Sequence, residues 1–381
     1  MKQQISYGTN THGNNCETEI ASGTDIIVCP AFCDVHVHFR EPGRPDKETI
    51  LSGCNSAAAG GYTCVCPMPN LDPVPDTPQT LEKELEIIRR DAFLDVIPYA
   101  AITLGRKGLE PVDIAALKGS VVAFSDDGSG VQDDAVIMKA MELAAQEDSV
   151  IVSHCEDKRY GTAPEGEWMQ VERDLALAGT VGCRYHVCHV STARSVDAIR
   201  RAKDRGVDVT CETAPHYLAL TDADVLDDGR FRMNPPIRSA ADRKALIEAL
   251  QDGTIDMIAT DHAPHTAEEK SRGFQGSVMG VVGLETAFPV LYTTLVREGL
   301  ISLDDLVFKM SVAPRHRFCL PVRGNDIVTI DLGAQWTIDP SQFKTMGRST
   351  PFEGMQVYGK ILKTEYKGKT IYNAEQNETG A

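Results

Sequence analysis

The strongest constraint on the fold is an alternation of apolar strand patterns and amphipathic helix patterns along most of the chain. Eight apolar, β-branched runs lie at residues 27–38, 62–68, 96–103, 121–125, 150–154, 184–190, 207–212 and 255–260. Strands that alternate with helices in this way predict parallel strands joined by helical crossovers. Eight such units predict a closed barrel ringed by helices. The nearly continuous hydrophobicity of the runs suits strands that are buried on both faces.

The two ends of the chain depart from this alternation. Residues 1–26 are polar and rich in Gly, Thr and Asn, whereas residues 323–381 contain short strand-like pieces. We therefore expect an α/β protein in which a (β/α)8 TIM barrel over residues 27–322 carries a small β appendage formed by both termini.

Composition narrows the class of function. The formal charge of −17 over 381 residues argues against binding to nucleic acids and to anionic membranes, because both attract basic patches. No apolar run reaches the length of a membrane helix, and the first residues lack the apolar segment of a secretory signal, so we expect a cytoplasmic protein. In that compartment the eleven cysteines are expected to be reduced and mostly buried.

Polar side chains collect where the predicted strands end. In a barrel of this kind the chemistry lies at the carboxyl ends of the strands. His36 and His38 end the first run, and because side chains alternate along a strand, both imidazoles point the same way. The corresponding ends of other runs carry Asn70, Asp126, Asp127, His154, His189 and Asp261.

A subset of these residues has the donor atoms of a metal centre. The candidate ligands are His36, His38, Asp127, His154, His189 and Asp261. Neutral imidazoles and carboxylates are the ligands that borderline divalent metals such as zinc prefer. The set exceeds the needs of one tetrahedral ion. It fits two ions that share a bridging carboxylate and a bridging hydroxide and leave positions open for substrate.

Several of these assignments have alternatives. His186 competes with His189, because the two side chains lie on opposite faces of one predicted strand. Asp126 competes with Asp127, in a segment that by itself is typical of a turn. Asp261 could instead cap a helix, and His154 could be a buried histidine with ordinary hydrogen bonds.

Motifs along nearly the whole chain resemble those of one enzyme family. They are DVHVHFREPG (34–43), MPN (68–70), VAFSDDG (122–128), HCE (154–156), HVCHVST (186–192), MNPPIR (233–238) and IATDHAPH (258–265). In this order the motifs resemble dihydroorotases of the type I bacterial branch of the amidohydrolase superfamily. The resemblance implies a metal-dependent barrel enzyme.

The resemblance also implies roles for the candidate residues. The first zinc ion would be held by His36, His38 and Asp261, the second by His154 and His189, and Asp127 would bridge the two. Many relatives bridge with a carboxylated lysine, but no lysine lies on residues 121–128, so an aspartate bridge is expected here. The positions that match substrate-binding residues of the family are Arg40, Asn70 and His265, which would grip a carboxylate, and Asn234.

The implied reaction is the reversible hydrolysis of the cyclic amide L-dihydroorotate to N-carbamoyl-L-aspartate, a step of pyrimidine (UMP) biosynthesis. Asp261 would serve as general base and then as general acid. The resemblance further implies a homodimer, and an association with aspartate transcarbamoylase is also possible for such a chain.

Two other functions stay open at this point. Another cyclic amidohydrolase (dihydropyrimidinase, hydantoinase or allantoinase) would share the metal ligands but usually has the bridging lysine. The other is a non-catalytic dihydroorotase-like scaffold that binds aspartate transcarbamoylase. The segment between His154 and His189 is shorter than the family pattern, which favours this alternative. Metal content distinguishes the scaffold from an enzyme, because a scaffold need not hold two ions.

Overall fold

The strands of the protein form a parallel barrel and a separate antiparallel sheet. The computed structural model describes residues 3–6, 17–20 and 25–375. Within these ranges the strands are β1 (Gln3–Ser6), β2 (Glu17–Ile20), β3 (Ile26–Pro30), β4 (Phe32–Val37), β5 (Tyr62–Pro67), β6 (Asp95–Val96), β7 (Phe124–Ser125), β8 (Val150–Ser153), β9 (Arg184–Val187), β10 (Val209–Thr213), β11 (Met257–Ile258), β12 (Ile327–Thr337), β13 (Gln356–Tyr366) and β14 (Lys369–Asn373).

Strands β4 to β11 are parallel and follow their chain order around the barrel. Hydrogen bonds join β4, β5 and β6 into one group and β7 to β11 into another. Isolated bridges from Ala100 to Phe124 and from Val37 to His262 connect the two groups and close the ring. The predicted eight-stranded barrel is therefore confirmed.

Helices follow the barrel strands and cover their outer faces. They are α1 (Ile50–Ala59), α2 (Pro78–Asp91), α3 (Ile114–Leu117), α4 (Asp134–Gln146), α5 (Pro164–Val181), α6 (Ala193–Asp204), α7 (Pro215–Ala219), α8 (Ala240–Asp252), α9 (Ala267–Lys270), α10 (Gly273–Gly276), α11 (Ala287–Leu291), α12 (Leu303–Val307) and α13 (Ala313–Arg317). Short π-helical segments extend α11 and join α12 to α13. No helix among the described residues combines the length and the apolar character needed to cross a bilayer.

Local sequence signals explain where the main helices begin and end. The Thr49 hydroxyl accepts from the Ser52 N–H at the start of α1, and Thr77 and Thr80 form the same reciprocal cap at the start of α2. Helix α5 ends at Gly182, whose φ of 75° is a left-handed conformation that glycine adopts without a Cβ clash. These signals are encoded over a few residues, which is why the sequence indicates the helices well.

The appendage is an antiparallel sheet in the order β1-β2-β3-β12-β13-β14, so both termini contribute to it as predicted.

The first predicted strand run differs from the structure. The run 27–38 is two strands, because β3 pairs with β2 and β12 whereas β4 pairs with β5 in the barrel. The chain changes sheets at Ala31, whose N–H donates to the Asp326 carbonyl. Residues 27–30, expected in the barrel, therefore belong to the outer sheet.

The interior of the barrel is filled by small and medium-sized side chains. Cys33, Cys64, Cys66 and Cys188 pack there with Met257. Nine of the ten cysteines in the described part of the chain are buried. Phe318 and Leu320, which follow α13, belong to the same buried cluster. The packed core leaves the carboxyl ends of the strands as the place for a site.

Candidate metal centre

Strand β4 presents the first two candidate ligands. His36 lies within the strand and His38 directly follows it, with ring centroids 5.3 Å apart. Asp34 has a different role, because its carboxylate accepts the N–H groups of His36 and Thr260 at 3.0 and 3.1 Å. Asp34 therefore braces the backbone beside the centre.

A single carboxylate lies at the middle of the predicted ligands. The Asp127 oxygens are 3.3 Å from His36 Nε2, 3.4 Å from His38 Nε2, 3.6 Å from His154 Nδ1 and 3.7 Å from His189 Nε2. The neighbouring Asp126 turns away and accepts the N–H groups of Ile102 and Thr103. The structure thus brings Asp127, and not Asp126, to the four imidazoles.

The remaining candidates come from the ends of β8, β9 and β11. His154 Nδ1 lies 2.8 Å from His189 Nε2. Asp261 Oδ1 lies 3.0 Å from His38 Nε2 and 3.5 Å from His36 Nε2. His186, the alternative to His189, contacts Thr210 and Glu212 instead of this cluster. All six predicted ligands therefore meet in one place.

The donor atoms form groups that could each hold an ion. His36, His38 and Asp261 offer three ligand atoms within 4.8 Å of one another, and so do Asp127, His154 and His189. His36 Nε2 and Asp127 Oδ1 are buried without a hydrogen-bond partner. Buried polar atoms are normally satisfied, so atoms left open toward a shared centre fit cations at that centre. The imidazole and carboxylate set fits zinc or a similar borderline metal.

The electrostatics of the centre agree with this fit. Burial would raise the pKa of Asp127, but His36, His154 and His189 hold it well below its usual range. Burial would likewise raise the pKa of Asp261, but it is lowered through the hydrogen bond to His38 and the nearby charge of His36. Both carboxylates are therefore anionic at neutral pH, which is the state that binds metal.

Three imidazoles are held from behind by a second polar group. Glu212 Oε1 lies 2.6 Å from His36 Nδ1, Asn70 Oδ1 lies 3.0 Å from His38 Nδ1, and Glu156 Oε2 lies 3.0 Å from His154 Nε2. In each ring the other nitrogen faces Asp127. Such outer contacts fix the tautomer of a metal-binding histidine.

Sequence reasoning missed the roles of Glu212 and Glu156. Glu156 follows His154 closely in the HCE motif, which was a usable signal. Glu212 gave none, because its partner His36 lies 176 residues away. Cys188 was also assigned only to the core, although its sulfur lies within 4.8 Å of donor atoms of His36 and Asp127.

A cavity of about 280 Å³ opens beside the centre. The predicted substrate-binding residues Arg40, Asn70, Asn234 and His265 all line it. Arg40 donates through Nε to the Pro264 carbonyl at 3.4 Å, and burial lowers its pKa to about 10, so it stays charged at neutral pH.

The other three cavity residues are already engaged in hydrogen bonds. Asn70 bonds His38, and Asn234 donates to Glu156 at 2.5 Å. His265 Nε2 lies 2.8 Å from the Met279 carbonyl, and its Nδ1 lies 3.1 Å from Lys47 Nζ. Burial, together with the charge of Arg40, lowers the pKa of His265 to about 3, so this ring is neutral. Among the four, Arg40 is the charged group suited to an anionic ligand.

Comparison with known proteins places this geometry in context. A family model described as dihydro-orotase-like matches residues 25–195. A dihydroorotase of Anoxybacillus flavithermus is 46% identical over 401 residues, covering 98% of this chain and 93% of its own. A dihydroorotase of a Geobacillus species is 44% identical, covering 96% of this chain and 92% of its own.

A solved structure shares the architecture at lower identity. The L-hydantoinase (dihydropyrimidinase) from Arthrobacter aurescens matches with a TM-score of 0.83 and 25% identity, covering 94% of this chain and 93% of its own. The fold is therefore that of cyclic amidohydrolases, whereas the higher identity over nearly the whole chain is with dihydroorotases.

Proposed function

This chain belongs to the dihydroorotase family, and we propose that it carries out the family reaction at a centre of two zinc ions. The reaction is the reversible hydrolysis of L-dihydroorotate to N-carbamoyl-L-aspartate. In this proposal His36, His38 and Asp261 would hold one ion, His154 and His189 would hold the other, and Asp127 would bind both. The observation that carries it is the position of the Asp127 carboxylate, with one nitrogen of each of four imidazoles 3.3 to 3.7 Å from its oxygens.

The chemistry divides between the ions and the residues of the chain. When bound, two divalent ions would lower the pKa of a water molecule and polarise the amide carbonyl. Asp261 has one oxygen directed at His38, 3.0 Å away, and its lowered pKa keeps the carboxylate anionic. In our proposal Asp261 takes the proton of the attacking water and returns it to the leaving amide nitrogen, as general base and then general acid.

Substrate orientation would depend on the cavity wall opposite the ligands. Dihydroorotate carries a carboxylate that a chain of formal charge −17 repels unless a local cation offsets the repulsion. The half-buried Arg40 supplies that cation, and its planar guanidinium suits a carboxylate. We propose that Asn70, Asn234 and His265 complete this wall, with His265 acting as a neutral ring.

On the same family grounds we propose that the chain assembles as a homodimer. Association with aspartate transcarbamoylase is a further proposal of this kind. Sedimentation of the purified protein alone, and then with that enzyme, tests the two proposals separately.

The first experiment measures dihydroorotate hydrolysis by the purified, zinc-reconstituted protein, with a hydantoin and allantoin assayed in parallel. We expect turnover of dihydroorotate alone and its loss when a chelator removes the metal. Turnover of a neutral ring with none of dihydroorotate would move the chain to the hydantoinase type of reaction. No turnover of any substrate by protein that holds two zinc ions would contradict the proposed reaction, and protein that holds no zinc would contradict the proposed centre.

A further inference from the structure

His186 has a place in the structure although it is not one of the proposed ligands. Its ring is fully buried on β9 and its two nitrogens contact residues of the next strand, β10. Nδ1 lies 2.8 Å from Thr210 Oγ1, and Nε2 lies 3.2 Å from Glu212 Oε2. The other oxygen of Glu212 lies 2.6 Å from His36 Nδ1. One carboxylate therefore joins a candidate ligand to a second histidine.

When both imidazoles are neutral, which is the form that binds metal, the donors and acceptors in this chain of contacts have only one consistent arrangement. An ionised carboxylate accepts hydrogen bonds and cannot donate them, so both histidines must donate to Glu212. His186 then carries its proton on Nε2, and the Thr210 hydroxyl donates to Nδ1. His36 carries its proton on Nδ1, which leaves the lone pair on Nε2, the atom that faces Asp127.

The surroundings of Glu212 make this arrangement rigid. Glu212 is 1% exposed and both histidines are 0% exposed. A carboxylate buried to this extent is stable only where donors satisfy it. His186 supplies the second donor, so Glu212 does not depend on His36 alone. The three residues lie on β4, β9 and β10, which places the contacts across the inside of the barrel.

We propose that Glu212 is a positioning residue of the metal centre, anchored by His186, that fixes the His36 tautomer and strengthens Nε2 as a ligand. The proposal rests on the proposed function, because it needs ions at that centre. It assigns the buried His186 to a supporting role in the same centre. A carboxylate behind a metal-binding imidazole raises the basicity of the ligand, and loss of such a partner typically weakens metal binding by about 10- to 100-fold.

The test is zinc affinity, measured without substrate. Metal-free wild type, Glu212→Gln and the control Glu84→Gln are titrated with zinc against a chromophoric chelator. Glu84 is a matched control because it is also a buried glutamate, 1% exposed, but lies on α2 without a hydrogen-bond partner for either oxygen. Glutamine keeps the shape of Glu212 and removes its charge.

We expect Glu212→Gln to weaken one of the two zinc-binding steps by about 10- to 100-fold. The other step should stay within about threefold of wild type, since Glu212 contacts no ligand of the second group. Glu84→Gln should bind like wild type. Equal weakening of both steps by Glu212→Gln would overturn the proposal, because it would indicate a general disturbance of the barrel.

Thr210→Val provides a second variant should Glu212→Gln fail to fold. It leaves Glu212 and His36 in place and removes only the hydroxyl that holds His186, so the same zinc step should weaken by a smaller factor. Glu212→Gln binding both ions as tightly as wild type would overturn the proposal for Glu212. If Glu212→Gln does not fold, unchanged zinc binding by Thr210→Val overturns it. A wild type that binds no zinc would overturn the metal centre itself, and the two failures are thus distinct.

Discussion

Lys270 provides the most demanding test of how the cavity wall is built. This side chain is 8% exposed at the end of α9, and its ammonium donates to three carbonyls. The acceptors are Arg232 at 3.0 Å, Val278 at 2.8 Å and Gly280 at 2.7 Å. Gly280 lines the cavity, and Arg232 lies two residues before the cavity residue Asn234. One cation therefore joins two parts of the cavity wall.

The expected cost of Lys270→Met follows from these contacts. The Arg232 carbonyl keeps a second donor, the Gly280 N–H at 2.9 Å, so the loss falls mainly on the carbonyls of Val278 and Gly280. Each buried carbonyl that loses its donor costs about 1–3 kcal/mol. Methionine no longer requires a charge to be buried, which offsets part of this cost. We expect the free energy of unfolding to fall by about 3 kcal/mol.

Urea denaturation of Lys270→Met and of the control Lys244→Met measures this difference. Lys244 has a side chain that is 78% exposed and pairs with Glu248 at 3.5 Å, so its substitution should change stability by less than about 0.5 kcal/mol. The KM for dihydroorotate should rise in Lys270→Met with a smaller change in kcat, because the wall moves while the ligands stay. Equal stability and equal KM in the two variants would refute this account of the wall.

Three further predictions concern single side chains. Asp261→Asn should lower kcat by about 10³-fold without unfolding the protein, since it removes a proton carrier. Steady-state turnover measures the loss of activity and circular dichroism checks that the protein stays folded. Near-normal turnover would exclude the proton-transfer role. Arg40→Lys should raise the KM for dihydroorotate roughly tenfold by removing the planar fork, and an unchanged KM in steady-state assays would exclude Arg40 as the carboxylate partner. Burial raises the pKa of Glu84 well above its ordinary 4.5, so the folded state binds this proton more tightly than the unfolded state does. The free energy of unfolding of wild type therefore falls as the pH rises from 4.5 toward the raised pKa. The stability of Glu84→Gln relative to wild type should therefore improve from pH 5 to pH 8 in urea denaturation, and a pH-independent difference would contradict the raised pKa.

The sequence predicts the barrel well because its signals are local. Strand hydrophobicity, helix caps such as Thr49 and Thr77, and histidines at strand ends can each be recognised within a few residues. The change of sheet at Ala31 is not of this kind, because β3 and β4 form one continuous apolar run. The two strands are distinguished by their pairing partners, since β3 pairs with β12 and β4 pairs with β5.

The contacts that hold the candidate site residues in place were harder to predict from the sequence, because many of them join residues that are far apart along the chain. The choice between His186 and His189 depends on which face of β9 meets Asp127, and the strand pattern does not supply that orientation. Glu212 and His36 are 176 residues apart, and Lys47 and His265 are 218 apart. Neither pair leaves a signal in a single sequence. The substrate roles of Arg40, Asn70, Asn234 and His265 stay predictions for the assays above.

Two of the proposed ligands lie in a strained, left-handed backbone conformation. His189 has a φ of 33° and Asp261 a φ of 51°, values in the left-handed region that cost a residue with a Cβ about 1–3 kcal/mol. The backbone beside each is held by hydrogen bonds: Val190 N–H donates to the Glu212 carbonyl at 2.8 Å, and Ala263 N–H donates to the Val281 carbonyl at 2.8 Å. These bonds fix the chain one residue after His189 and two residues after Asp261, and so oppose relaxation of the strain by a local shift. Because histidine and aspartate adopt other backbone conformations far more often than the left-handed one, the sequence could indicate these two ligands but not the turn that directs them to the centre.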